Sequence, residues 1–246
     1  MSDRADWIID LGHSRVKWAR ARDGELLPGS VGLTGLNQLD ALERALAGSS
    51  GRVWLSGQSN IETVSEVTTC IERMDLSLHP VRTGSLPLPV QPAYATLGCD
   101  RWLALQWPWL ESRRAFCVVD CGTAVTVDVV DDRGQHRGGW IMAGLATLRQ
   151  AIRERARGLP EVTQADIPPA GPATDTVSAI AGGSLLQVAA AIDRAVDMAR
   201  QTLDQQPALW LTGGDATTVL PQLGHPFEHD PQLVLRGLAL ATRSES

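Results

Sequence analysis

A short apolar run followed by apolar and polar positions alternating with a period of two marks the start of the chain as strands. Asp6–Asp10 (DWIID) and Arg15–Ala21 (RVKWARA) read as two strands joined by a tight turn through Gly12, with a weaker third strand near Glu25–Val31. The pattern becomes helical over Leu36–Ala47, gives a short strand at Arg52–Leu55, a helix over Ile61–Met74 and a strand-like run over Ser77–Arg82. Pro87, Pro89 and Pro92 mark an irregular loop. Asp100–Ser112 then reads as a helix interrupted at Pro108.

The second half repeats this order. Ala115–Asp120 and Ala124–Asp131 form a hairpin, Asp132-Arg133-Gly134 turns the chain, and His136–Ile141 is a third strand. Helices follow at Leu145–Arg157 and Asp175–Gln205, the latter weakened at Gly182-Gly183 and preceded by a loop rich in proline and glycine. A strand at Ala208–Thr212, a helix after Gly213-Gly214-Asp215, a strand-like Pro226–His229 and a helix over Leu233–Arg243 complete the chain. The two hairpins align at an offset of 110 residues, Asp10 onto Asp120 and Gly12 onto Gly122. Such a repeat predicts a duplicated α/β fold: two similar lobes, 1–114 and 115–246, each a mixed sheet covered by helices, with a ligand cleft between them.

Composition narrows the partners. The net charge of −6 over 246 residues comes without a basic run, so no electrostatic footprint for nucleic acid is expected. No apolar stretch approaches a membrane span and the charged start (Asp3, Arg4, Asp6) is unlike a signal peptide, which predicts a soluble, cytoplasmic protein with no membrane partner. Cys70, Cys99, Cys117 and Cys121 lack the paired spacing of a zinc site and read as reduced, mostly buried thiols. Lys17 is the sole lysine and Tyr94 the sole tyrosine, which makes both positions worth locating.

The hairpins carry the candidate chemistry. In Asp10-Leu11-Gly12-His13-Ser14-Arg15-Val16-Lys17 a strand ends on a carboxylate, glycine frees backbone N–H groups to face oxygens, and serine and lysine supply a hydroxyl and a compact positive charge. Asp120-Cys-Gly-Thr123 repeats acid, glycine and hydroxyl in the second lobe. Carboxylates beside phosphates require a cation, and Mg²⁺ binds through one or two carboxylates plus the phosphates themselves. Asp100, in Gly98-Cys99-Asp100-Arg101, reads either as a helix N-cap or as a base for an attacking hydroxyl, with Arg101 suited to a carboxylate or phosphate. Gly213 and Gly214, between a strand and a helix, suit close approach of a nucleotide. His13 reads as an ordinary turn histidine, and the tryptophans as packing groups.

In this order and spacing DLGHSRVKW, LGCDRW, DCGTAVTVD, GGWIMAGLATL, ATDTVSAIAGG, LTGGDA and LVLRGLALA resemble the type III pantothenate kinases of the acetate kinase, sugar kinase, Hsp70 and actin superfamily. The resemblance implies two ribonuclease H-like, actin-like ATPase lobes and ATP-dependent phosphorylation of pantothenate, the first step of coenzyme A biosynthesis. It further implies a homodimer using Mg²⁺ and a monovalent cation, K⁺ or NH₄⁺. It assigns Asp10 to Lys17, Thr123, Gly213 and Gly214 to ATP, with Asp10 on the Mg²⁺ side and Asp120 on the monovalent cation. Asp100 becomes the base, while Tyr94, Gly98, Cys99, Asp100, Arg101 and Thr176 contact pantothenate, Thr176 from the partner subunit. The family's usual Asn is replaced by His13, and its tyrosine lies nine residues before the base, where this chain has Gln91, with Tyr94 six before it. Either a short deletion lets Tyr94 serve, or that contact is lost. Other readings are a kinase of another small metabolite, or a non-catalytic regulator like relatives named Bvg accessory factor.

Overall fold

The computed structural model describes residues 5–36, 38–57, 61–156, 158–163 and 171–243. Asn37, Arg157 and part of the proline- and glycine-rich stretch before residue 171 lie outside the described residues. The chain divides into two compact units: unit 1 comprises Met1–Arg113, Gly134–His136 and Gln232–Ser246, and unit 2 comprises Arg114–Arg133 and Arg137–Pro231. The last helix therefore groups with the first unit, where a division at residue 115 would have put it in the second.

In chain order unit 1 contains β1 (Asp6–Leu11), β2 (Arg15–Arg22), β3 (Glu25–Leu26), β4 (Gly32–Gly35), α1 (Asp40–Leu46), β5 (Ser50–Gly57), α2 (Ile61–Glu72), β6 (Asp75–Pro80), α3 (Cys99–Ala104) and α4 (Gln106–Ser112). Its sheet runs β3-β2-β1-β5-β6, with β4 paired to the far end of β2. β1 and β2 are antiparallel, whereas β1, β5 and β6 are parallel, as helical crossovers require. Trp7, Ile9, Leu11, Val16 and Trp18 point into a core closed by Leu42, Leu46, Val67 and Ile71 of α1 and α2.

Two boundaries differ from the sequence reading for local reasons. The single third strand is broken at Pro28-Gly29: Gly29 has φ +70° and Ser30 N–H turns back to Leu27 O, so the chain resumes separately as β4. The break between α3 and α4 falls at Leu105, ahead of Pro108. Proline lacks the N–H that would bond the Ala104 carbonyl and its ring crowds that carbonyl, so a new helix starts with Pro108 in its first turn.

Unit 2 is built from β7 (Phe116–Cys121), β8 (Ala124–Val130), β9 (His136–Ala143), α5 (Leu145–Arg155), α6 (Thr176–Leu203), β10 (Ala208–Thr212), α7 (Ala216–Val219) and β11 (Glu228–His229). The order β9-β8-β7-β10-β11 reproduces that of the first sheet, β7 being antiparallel to β8 and parallel to β10. α6 runs unbroken through Gly182-Gly183. Ala181, Ser184 and Leu185 are buried around them, and that packing outweighs the roughly 1 kcal/mol that a helical glycine costs.

α6 is also long and apolar enough, by length and composition, to cross a membrane, contrary to the expectation that no such stretch exists. Leu185, Val188, Ile192, Val196 and Ala199 of this helix pack on the second sheet, and Asp193, Arg194, Asp197 and Arg200 interrupt it, as in the core helix of an α/β unit. α8 (Leu233–Ala239), continued by a 3₁₀ turn (Leu240–Arg243), returns to unit 1 and packs on α3, α4 and β1.

Candidate functional site

Asp10 is the penultimate residue of β1, only 7 % exposed, and stands opposite Lys17 on β2. Directly opposed residues of an antiparallel pair share a face, so the sole lysine and this carboxylate lie side by side. The turn between them is closed by Gly12 N–H donating to Arg15 O at 2.9 Å, and it presents His13, Ser14 and Arg15 to solvent. On the other side Asp10 is paired with Ser56 of β5, whose hydroxyl, itself fully buried, donates to Asp10 Oδ1 at 2.9 Å.

Asp120 repeats the position in unit 2. It faces Thr126 on β8 and Thr212 on β10, and Gly122 N–H donates to Ala124 O at 3.0 Å across the turn. Thr123 is exposed, while its carbonyl accepts Gly144 N–H and the Thr147 hydroxyl at the start of α5. Gly213 has φ +100°, and a Cβ there would lie 2.5 Å from Asp120 Oδ1 and 2.3 Å from the Cys121 carbonyl. Residue 213 packs so closely on the Asp120 carboxylate and the Cys121 backbone that only glycine fits there.

The hairpins are unequal. The first closes on Leu11↔Val16 and the second on Cys121↔Val125, one residue sooner. The partner opposite the aspartate is thereby lysine in one unit and threonine in the other.

The Gly98–Arg101 segment forms the start of α3. Gly98 is the N-cap, so Asp100 is not the cap. It stands at the second helical position, half-buried, with Oδ1 accepting Arg101 N–H at 2.8 Å. Arg101 is buried, and its Nη1 donates to the Tyr94 hydroxyl at 3.2 Å. Gln91 instead donates its side-chain amide to Leu88 O at 2.6 Å within its own loop. Of the two residues that sequence left competing, Tyr94 is the one beside Arg101.

Cys99 donates to Val81 O, and its thiol is pushed up to about 12 by burial first and then by repulsion from Asp10 and Asp100. Asp10 and Asp100 therefore both lie within electrostatic reach of one inert thiol. Cys121 is raised to about 12 by burial and then by Asp120 and Asp215.

Thr176 is exposed at the first position of α6, after Asp175, whose carboxylate caps Ser178 N–H at 2.9 Å and is held below its ordinary range by that bond. Thr176, Ala179, Ile180 and Gly183 line an open groove of about 550 Å³.

The family model described as "Type III pantothenate kinase" matches residues 7–198. The chain belongs to the type III pantothenate kinase family. A type III pantothenate kinase of Nitrosococcus oceani is 32 % identical over 97 % of this chain and 94 % of its own. One from Stenotrophomonas maltophilia strain R551-3 is 34 % identical over 96 % of each. Among solved structures, a Campylobacter jejuni protein described as a Baf family transcriptional activator superposes with TM-score 0.62 at 18 % identity, covering 94 % of both chains. At that identity the likeness shows the fold alone, that of the actin-like ATPases with two mixed sheets and their helices.

Among the described residues no cluster of three or more His, Cys, Asp or Glu could hold a metal ion. Single carboxylates such as Asp10 and Asp120 suit a cation whose other ligands are oxygens from outside the protein, such as those of phosphates. Ser56 was missed by the sequence reading of the motifs. The signal was present: Trp54-Leu55-Ser56-Gly57 on β5 is echoed by Trp210-Leu211-Thr212-Gly213 on β10. Ser56 and Thr212 occupy the same register opposite Asp10 and Asp120. Gly57, like Gly213, would place a Cβ against the neighbouring strand's backbone, 2.4 Å from Leu11 O.

Proposed function

We infer that this chain transfers the γ-phosphoryl group of ATP to the primary hydroxyl of pantothenate, opening coenzyme A biosynthesis, with roles divided among the residues above. The observation that carries the assignment of the acceptor side is the Asp100-Arg101-Tyr94 group: a half-buried carboxylate one residue from a buried guanidinium whose Nη1 is hydrogen-bonded to the only tyrosine. Arg101 suits the pantothenate carboxylate through paired N–H groups, and Tyr94 adds a hydroxyl to the same end of the substrate.

In the transfer the acceptor oxygen bonds to the γ-phosphorus as the bond from that phosphorus to the β–γ bridging oxygen breaks. Asp100 takes the hydroxyl proton and ADP carries away the bridging oxygen. Phosphoryl transfer proceeds through a loose transition state, so placing the groups and neutralising charge matter more than a strong base. Lys17 supplies one fixed positive charge for the phosphates, and the backbone N–H groups of the Gly12 turn and of Gly213-Gly214 approach them closely. Mg²⁺, held from Asp10 directly or through water, neutralises phosphate oxygens when bound. The Ser56 hydroxyl fixes the rotamer of Asp10 for that task.

The same proposal places K⁺ or NH₄⁺ at Asp120, with Thr123 on the phosphates. It also places a second copy of the chain at the exposed start of α6, so that Thr176 reaches pantothenate from the partner subunit. The open groove at Thr176 and the exposed Leu186 on the same helix support a homodimer there. A soluble cytoplasmic location goes with this chemistry. The test is ADP release with pantothenate, Mg²⁺-ATP, and either K⁺, NH₄⁺ or neither. Turnover that needs pantothenate and a monovalent cation supports the assignment, whereas equal rates without the cation remove it from Asp120.

A further inference from the structure

Tyr94 reaches Arg101 from a loop with no strand or helix of its own, so something must fix that loop. Its first end is held by α3 and α4: the Gln106 side chain accepts Val90 N–H at 3.0 Å, and both Gln106 and the Trp102 indole donate to Val90 O. Its second end is held by the turn Gly134–His136, which leads into β9 and groups with unit 1. Gln91 bridges to Gln135, and Ala93 N–H donates to His136 Nδ1 at 3.2 Å. His136 is buried at 5 % exposure, and its ring lies 6.1 Å from the Tyr94 ring, centroid to centroid, at 39°. Gly134 just before it has φ +75° and sits over Trp109, so close that a Cβ would meet the indole at 2.8 Å. A bulkier residue there would displace the turn and His136 with it.

We propose that His136 is a positioning residue for the acceptor. By accepting Ala93 N–H and packing beside the Tyr94 ring, it sets where the tyrosine hydroxyl meets Arg101. It rests on the reading that Tyr94 and Arg101 bind pantothenate. The hydrogen-bond geometry puts an acceptor at Nδ1, so a neutral ring carries its proton on Nε2. A side chain that keeps an acceptor at the Nδ1 place should substitute for histidine, and one that moves it outward should not. Asparagine does the first, and glutamine, whose oxygen falls near the Nε2 place, the second.

Steady-state kinetics of the full chain with pantothenate and ATP varied separately tests this. His136→Leu and His136→Gln are expected to raise the KM for pantothenate about ten-fold, the worth of one well-placed hydrogen bond. The KM for ATP and kcat should stay within about two-fold, and His136→Asn should recover most of the loss. Tyr94→Phe serves as the control for the reading beneath, and the double variant with His136→Gln should lose less than the two single losses combined. The proposal is overturned by an unchanged pantothenate KM in His136→Gln, by equal rises for both substrates, or by failure of His136→Asn to recover. If Tyr94→Phe is silent while His136→Gln still raises the pantothenate KM and His136→Asn recovers it, the Tyr94 reading fails and His136 acts through the loop backbone on Arg101.

Discussion

Asp100 stands in the first turn of α3, where helix geometry leaves N–H groups without intrahelical partners, and its carboxylate is anchored there by Arg101 N–H. Asp100→Asn keeps the shape and removes the proposed base, and kcat is expected to fall by about 10²–10⁴ while nucleotide binding and the melting temperature hold. Near-normal turnover would take Asp100 out of that role. Ser56→Ala deletes the buried donor to Asp10. The loss should appear as an approximately ten-fold lower kcat/KM for ATP with the pantothenate KM unmoved, because a hydrogen bond to a charged group contributes about 1.5–3 kcal/mol. The buried thiols predict alkaline sensitivity. Cys99, Cys117 and Cys121 are each raised from an ordinary value near 9 to about 12, chiefly by burial. In the unfolded chain they ionise near 9 and in the folded chain they do not. Their contribution to stability is therefore complete below pH 9 and declines as pH rises from 9 towards 12, by about 1.4 kcal/mol per pH unit for each thiol. Urea midpoints followed from pH 8 to 10.5 should fall in this way, and less steeply in Cys117→Ala.

At the scale of elements, the helix carrying Asp100 is positioned by another helix without a side chain between them at the crossing. A Cβ on Gly237 of α8 would lie 2.0 Å from the Leu103 carbonyl of α3, and Arg236 stacks on Trp107 of α4 at 4.9 Å. Gly237→Ala must push α8 away from α3. A loss of about 2–3 kcal/mol in unfolding free energy is expected, together with a lower kcat/KM for pantothenate. A wild-type melting curve and wild-type kinetics for this variant would show that the crossing yields at no cost. Most elements were legible in the sequence because period two and period 3.6 are set by burial of one face, while β1 and β7, buried on both faces, show instead as short apolar runs. What was not legible depended on residues distant in the chain. The unbroken course of α6 through two glycines is decided by the sheet beneath it, and the choice of Tyr94 over Gln91 by Arg101 and His136. The partnership of Ser56 with Asp10 is decided by a parallel strand pairing 46 residues away. The third strand failed for the opposite reason: Pro28-Gly29 was a local signal, and it was given less weight than the apolar pattern around it.

For the molecule as a whole, the repeat of strand order in the two units with unequal turns makes two similar scaffolds with different chemistry at the same place. Unit 1 is also discontinuous, since Leu233, Leu235 and Leu238 of α8 are buried in it. A chain ended at Pro231 should accordingly lose amide-exchange protection in β1, β2 and β5 while β7, β8 and β10 keep theirs. Uniform loss across both sheets would mean that the units fold as one. On the ribosome this arrangement inverts the order of manufacture. The loop from Asp10 to Lys17 is translated well before α8, yet its sheet waits for that helix, whereas every strand of the second sheet has been translated by Pro231. Until α8 is made the Asp10–Lys17 loop thus belongs to an unfinished sheet, and stalled chains probed by brief proteolysis should show the later-made unit becoming resistant first.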